Sequence, residues 1–246
     1  MSKLTNKRAL VTGASRGIGA GIALALADKG VDVAITYERS ADRAAEVVRA
    51  IEAKGRRAVA IQADSADPEA VKRSVEEAVG KLGGLDILVN NAGIARMGPV
   101  ADISLADVDA LLNVNVRSVV VASQTAIPHL GEGGRIVTIG SCLGERVAYG
   151  GVTTYSLTKS ALLSFTRGLA RELGPKNITV NLVQPGPIDT DMNPADGEFA
   201  ELNRNLTALG RYGTAAEIGA AVVFLAGPGA NFITGTTLTV DGGLNA

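Results

Sequence analysis

Tyr155 and Lys159 stand four residues apart in a stretch, 154–173, whose pattern predicts a helix, so both side chains project from one face. A phenol with an ordinary pKa of ~10 is a poor acid–base at neutral pH. An ammonium one helical turn away favours the phenolate and lowers that pKa. Ser141 lies upstream at the end of an apolar run, where its hydroxyl can hold a substrate oxygen beside the tyrosine's. These residue types suit proton transfer at an oxygen. A second cluster suits an anion. In Thr12-Gly13-Ala14-Ser15-Arg16-Gly17-Ile18-Gly19, three glycines sit where a short apolar run gives way to a helical pattern. Glycine permits a tight turn and close approach of a ligand, and the helix that follows offers unpaired N–H groups and the positive end of its dipole. That arrangement suits a pyrophosphate. The spacing is G-x-x-x-G-x-G, not the commoner G-x-G-x-x-G of dinucleotide folds.

The elements that must position these residues alternate along the chain. Short β-branched runs predict strands at 9–12, 32–37, 58–63, 87–90, 135–140, 179–183 and 237–240. Helical patterns fall between them at 17–29, 41–54, 68–82, 105–128, 154–173 and 215–225. This alternation is the signature of βαβ units: an α/β chain, Rossmann-type, with a doubly wound parallel sheet of about seven strands and helices on both faces. Several strands are apolar on both faces, as a sheet covered on both sides requires. Asp67-Pro68 reads as a helix cap with a first-turn proline, and Thr214 with Glu217 as a capping box. Gly30, Gly55 and Gly174 stand just past helix ends, where a left-handed residue is expected. No repeat, low-complexity tract or linker interrupts the chain, so residues 1–246 are expected to form one domain. Residues 191–209 lose regular periodicity and are expected to be a lid over the substrate.

Composition narrows the function. With 24 basic and 25 acidic residues in 246 and no basic block, nucleic acid and anionic membranes are poor partners. Aromatic residues are 3% of the chain, so the core must be aliphatic. A single cysteine, Cys142, excludes an internal disulfide and fits a reducing, cytoplasmic setting. No signal-peptide core and no run approaching ~20 apolar residues are present. With one cysteine and one histidine, His129, no thiolate or imidazole metal cluster can be assembled, and no metal is expected. Cys142 reads as a small packing residue and His129 as a cap or surface residue.

The ordered set of motifs resembles the short-chain dehydrogenase/reductase family: the glycine stretch 12–19, Asn90-Asn91-Ala92-Gly93, Asn115, Ser141, Tyr155-x-x-x-Lys159 and Pro185-Gly186. Within it the chain is most similar to the 3-oxoacyl-(acyl-carrier-protein) reductase and broad ketoreductase branch. The resemblance implies that hydride passes between a nicotinamide and a carbonyl carbon while Tyr155 donates a proton to the oxygen. It implies that Ser141 orients that oxygen and that Lys159 tunes Tyr155 and binds the ribose. Asn115 would hold a local helix distortion and a water linking the lysine to solvent. The cofactor would lie against Gly13, Ser15, Arg16, Gly17, Ile18 and Gly19. Asp64 and the Ser65 N–H would meet the adenine, and Asn91, Ala92 and Gly93 the ribose side, with Asn90 bracing the sheet. Pro185 and Gly186 shape a loop from which Ile188 and Thr190 would contact the carboxamide.

An acidic residue at the end of the second strand selects NAD; by alignment with the family that residue is Tyr37. Arg16, Arg39 and Ser40 can instead meet a 2′-phosphate, so NADP(H) is expected. Glu38 cuts the other way: turned inward, it would favour NAD and leave open an NAD-dependent alcohol dehydrogenase working oxidatively. A non-enzymatic nucleotide-sensing interaction protein on the same fold is the other alternative, against which the complete Ser141–Tyr155–Lys159 set argues. The expected partner is a small carbonyl or alcohol substrate, either free or carried as an acyl-carrier-protein thioester. Apolar residues on more than one face of the helices at 105–128 and 154–173 call for a two-fold partner. Together with the tail 241–246, the resemblance then implies a homotetramer.

Overall fold

The computed structural model describes residues 4–246 and places the expected strands in one parallel sheet. The strands are β1 (Arg8–Val11), β2 (Asp32–Tyr37), β3 (Ala58–Gln62), β4 (Leu85–Asn90), β5 (Leu130–Ile139), β6 (Thr179–Pro185) and β7 (Thr237–Val240). The helices are α1 (Gly17–Asp28), α2 (Ala41–Glu52), α3 (Pro68–Leu82), α4 (Leu105–Leu112), α5 (Ser118–Ala126), α6 (Thr153–Leu173), α7 (Ala200–Leu206) and α8 (Ala215–Ala226). The spatial order is β3-β2-β1-β4-β5-β6-β7, with every neighbouring pair parallel.

Side chains on a strand alternate between faces, and here both faces are buried. On β1, Ala9 and Val11 enter one core and Leu10 the other. The same division separates Val33 and Ile35 from Ala34, and Ile87 and Val89 from Leu88. Helices α1, α2 and α8 cover the first face, and α3, α5 and α6 the second. The strand order reverses between β1 and β4, and in open α/β sheets ligands bind outside the strands' carboxyl ends at that reversal.

Local signals explain most boundaries. The Asp67 carboxylate accepts from Glu69 N at 2.9 Å with Pro68 in the first turn of α3, and Thr214 and Glu217 form the reciprocal capping box of α8. Gly30 and Gly55 are left-handed as expected. Gly174 is not: its φ is −52°, the chain runs on through a short turn, Gly174–Lys176, and Asn177 takes the left-handed conformation. The stretch read as one helix over 105–128 is interrupted by a π-helical turn, Asn113–Arg117. Strand β5 starts five residues before the expected Arg135, because Leu130 pairs with Leu85 before a register shift brings Arg135 opposite Ile87. Its glycine-rich start carries no alternating pattern to read. Among the described residues, no helix is long and apolar enough to cross a membrane.

Candidate active site

The glycine loop is built by close packing across the strand reversal. Gly13 (φ +62°) donates its N–H to Thr36 Oγ1 at 2.9 Å, and a Cβ there would stand 2.8 Å from Ala92 Cα. Asn91 crosses from the end of β4 and donates to Thr12 O at 2.8 Å and Gly13 O at 3.1 Å. The Thr12 hydroxyl in turn accepts from the backbone N–H groups of Asn91 and Ala92, both at 3.0 Å. A buried polar side chain must be bonded, and Asn91 meets that demand by bracing the loop. Asn90 is buried behind it and donates to Ser123 Oγ at 3.1 Å. No side chain caps α1, so its first-turn N–H groups, with half-buried Ser15, Gly17 and Ile18 around them, face the crevice. An N-terminus left open in this way fits a diphosphate.

On the adenosine side, half-buried Tyr37 ends β2 and Ser40 precedes α2 without capping it. Glu38 is turned outward: its carboxylate pairs with Arg39 at 2.8 Å, and the Arg39 side chain is 89% exposed. The Asp64 carboxylate accepts from Ala66 N at 2.8 Å, a turn contact, with Ser65 half-buried next to it. Arg16 reaches the Asp191 carboxylate at 3.1 Å, and Arg43 meets the same oxygen. Sequence reasoning passed over Arg43. The signal was a cation in the first turn of a helix, where the dipole favours anions.

The residues expected to transfer the proton come together at the carboxyl end of β5. Ser141 is buried, and its hydroxyl accepts from Leu143 N at 3.2 Å. Tyr155 and Lys159 face it from α6, with the Lys159 ammonium 5.7 Å from the Tyr155 ring centre. Lys159 is 5% exposed and donates to Ile139 O at 3.3 Å. Gly93 lies against Lys159 and Asn115: a Cβ there would stand 3.5 Å from the lysine nitrogen and 3.4 Å from Asn115 Oδ1, ordinary contact distances. Asn115 is the centre of the π turn. Its Oδ1 accepts from Ile94 N at 2.9 Å, and its Nδ2 donates to Ile94 O at 3.0 Å and to Thr158 Oγ1 at 3.1 Å. The widened turn swings this amide out of the helix to join the loop after β4 with α6.

Electrostatics depart from the sequence expectation at the tyrosine. Burial pushes the Tyr155 phenol up to about 12, with the Ser141 hydroxyl pulling the other way. Burial also brings Lys159 down to about 8. Desolvation penalises whichever form is charged, so both groups move toward neutrality. The lysine does not depress the phenol here, and the phenol keeps its proton.

After β6, Gly186 N donates to Val240 O at 3.0 Å, and a Cβ on Gly186 would strike Asp241 Cα at 2.6 Å. The loop beginning at Pro185 and Gly186 thus packs on β7. It presents Ile188, which is buried, and Thr190, whose Cγ2 lies 3.4 Å from where a Gly17 Cβ would be. Residues 191–209, read as an irregular lid, contain α7. Buried Asn203 ties it down, donating to Tyr212 Oη at 2.8 Å and to Asn193 Oδ1 at 3.3 Å. The tail folds onto its own chain, Asn245 donating to Cys142 O at 2.9 Å beside Ser141. Cys142 is a buried packing residue as expected, and His129 lies 3.1 Å from Glu76.

A doubly wound sheet with an open phosphate cradle at the strand reversal and a Ser–Tyr–Lys set beside it is the architecture of a dinucleotide-dependent oxidoreductase. The chain belongs to the short-chain dehydrogenase/reductase family. The family model described as Enoyl-(Acyl carrier protein) reductase matches residues 13–245. A cyclic-di-GMP-binding biofilm dispersal mediator protein of Escherichia coli is 43% identical over 246 residues, covering all of both chains. The 3-oxoacyl-(acyl-carrier-protein) reductase FabG of Staphylococcus aureus is 41% identical over 241 residues, 97% of this chain and 98% of that one. A short-chain dehydrogenase from Burkholderia cenocepacia, solved in complex with NADP, superposes with a TM-score of 0.98 at 60% identity over 100% of both chains.

Proposed function

We propose that this protein is an NADP(H)-dependent carbonyl reductase that converts a ketone, either a 3-oxoacyl thioester or another carbonyl, to a secondary alcohol. The observation that carries the reading is the Ser141, Tyr155 and Lys159 constellation, gathered beside an uncapped helix at the strand reversal. The cofactor, when bound, supplies the hydride. The chain supplies everything else. The α1 N-terminus holds the diphosphate and Arg16 the 2′-phosphate; Gly93, Asn91 and Lys159 line the ribose; Ile188 and Thr190 face the carboxamide. Ser141 Oγ holds the substrate oxygen, and Tyr155 Oη, protonated at neutral pH, gives its proton to that oxygen as charge develops there. Lys159 and Asn115 resupply the proton through the junction between the π turn and α6.

The whole chain, 1–246, works as one domain in the cytoplasm, with 191–209 closing over the substrate. It works as a homotetramer, because Leu112, Val120 and Leu157 stay exposed on α4, α5 and α6. Light scattering behind a sizing column should report about four times the 25.1 kDa chain mass; an active species at monomer mass removes the tetramer. The central test is a panel of ketones and 3-oxoacyl thioesters, assayed by loss of reduced-nicotinamide absorbance with NADPH and NADH in parallel. Turnover with NADPH in preference to NADH is expected, and equal Michaelis constants for the two overturn the cofactor assignment.

The Escherichia coli relative's name supports a second reading, a protein that binds a cyclic dinucleotide. Titration with cyclic-di-GMP separates the two: binding without any carbonyl turnover favours the second. The intact proton-transfer set, which a binding protein does not need, favours the first.

A further inference from the structure

Arg43 sits in the first turn of α2, facing the positive end of the helix dipole, a poor place for a cation unless an anion is near. Its guanidinium and that of Arg16 converge on a single oxygen, Asp191 Oδ2, with Arg16 at 3.1 Å. All three side chains are about half exposed, so the contacts are screened by solvent and each is weak by itself. Two guanidinium groups around one oxyanion, one from the glycine loop and one from the helix that follows β2, are a donor set that suits a phosphate as well as a carboxylate. Arg39, the nearer candidate by sequence, is already matched by Glu38 and points to solvent.

We infer that Arg16 and Arg43, rather than Arg39, hold the ribose 2′-phosphate of the cofactor, and that Asp191 is an internal anion the phosphate displaces. The inference rests on NADP(H) being the cofactor. It also couples the cofactor to the lid. Asp191 directly follows Thr190, which leans on the glycine loop, and it begins the segment that carries α7. Displacing its carboxylate releases the first tether of that segment; a cofactor without a 2′-phosphate leaves it in place.

The test is equilibrium binding, read by the fluorescence change of NADPH and NADH on the full chain in phosphate-free buffer. Arg43→Ala should weaken NADPH by roughly tenfold or more and leave NADH unchanged, the loss expected of a charge-assisted contact. Arg39→Ala should change NADPH by less than Arg43→Ala does. Asp191→Asn removes the competing charge and should tighten NADPH several-fold without moving NADH; the unchanged NADH affinities report that the crevice is intact. An unchanged NADPH-to-NADH ratio in Arg43→Ala overturns the phosphate assignment. Weaker NADPH binding in Asp191→Asn overturns displacement, because the carboxylate would then be helping to hold the cofactor. A parent protein that binds NADH more tightly than NADPH fails at the proposed function itself and takes this inference with it.

Discussion

The two ends of the crevice are built on opposite principles. At the β5 end, Ser141, Lys159 and Asn115 are buried; they are bonded to the backbone of Leu143, Ile139 and Ile94, and Asn115 also to the Thr158 hydroxyl on α6. At the α2 end, Arg16, Arg39, Arg43, Glu38 and Asp191 are paired ions in contact with solvent. Burial strengthens every electrostatic interaction and fixes geometry, which proton transfer needs. Exposed ion pairs are weak and exchange partners readily, which admission and release of a charged cofactor need. The fold therefore has a dry end, where the proposed function puts the reaction, and a wet end, where it puts cofactor recognition, and substitutions at the two should differ in kind as well as in size.

The largest effect is expected at the dry end. Tyr155→Phe removes one oxygen and keeps the ring's packing, so turnover should fall by roughly 10²–10⁴ while the melting temperature stays near the parent's. Retention of more than about half the activity would place the proton donor elsewhere and erase the contrast.

Next comes Asn115→Ala, which strands the Ile94 N–H and C=O and leaves the Thr158 hydroxyl only its bond to Tyr155 O. Leaving buried polar groups unsatisfied costs on the order of 1–3 kcal/mol, readable as an earlier midpoint in denaturant. An unshifted midpoint means that the π turn is held by something other than this amide.

Lys159→Met sharpens the comparison by reversing the usual sign. The folded-state pKa of Lys159 lies at about 8, below its ordinary 10.5. Below pH 8 the native state must carry a desolvated cation, and that penalty fades as pH rises toward 10.5. Replacing the lysine with an apolar side chain should abolish turnover yet stabilise the fold at pH 7 by roughly 1–3 kcal/mol, with the advantage narrowing by pH 9.5. Paired thermal melts at the two pH values check this; destabilisation at pH 7 would show that the contact with Ile139 O outweighs desolvation.

The smallest effect is expected in the segment proposed as the lid. Tyr212→Phe removes the hydroxyl between Asn203 and Asn193 but leaves those two amides 3.3 Å apart. A loss of about 0.5–1.5 kcal/mol is expected, seen as a higher substrate KM with kcat and cofactor affinity close to parental. A fall in kcat alone would tie this cluster to the chemistry instead of to closure.

Much of the molecule was legible from residue types and spacing. The alternation of β-branched runs and helical patterns determined the parallel sheet, because strands covered on both faces must be apolar throughout, as Val33–Ile35 and Ile87–Val89 are. Spacing of four on a helix determined that Tyr155 and Lys159 share a face, and three glycines at a strand-to-helix turn determined the tight loop before the uncapped α1. Local hydrogen bonding determined the caps at Asp67 and Thr214. What the tertiary structure decided depends on partners distant in the chain. The π turn exists because Asn115 finds Ile94 and Thr158, and α7 is held because Asn203 finds Tyr212 and Asn193. The Tyr155 phenol rises rather than falls because depth of burial, which no spacing encodes, outweighs the hydrogen bond with Ser141. Arg43 joins Arg16 only because the chain returns through Asp191, far along the sequence, to lay one carboxylate between them. Periodicity and local bonding are properties of a segment, whereas burial and charge pairing are properties of whatever the fold brings against it.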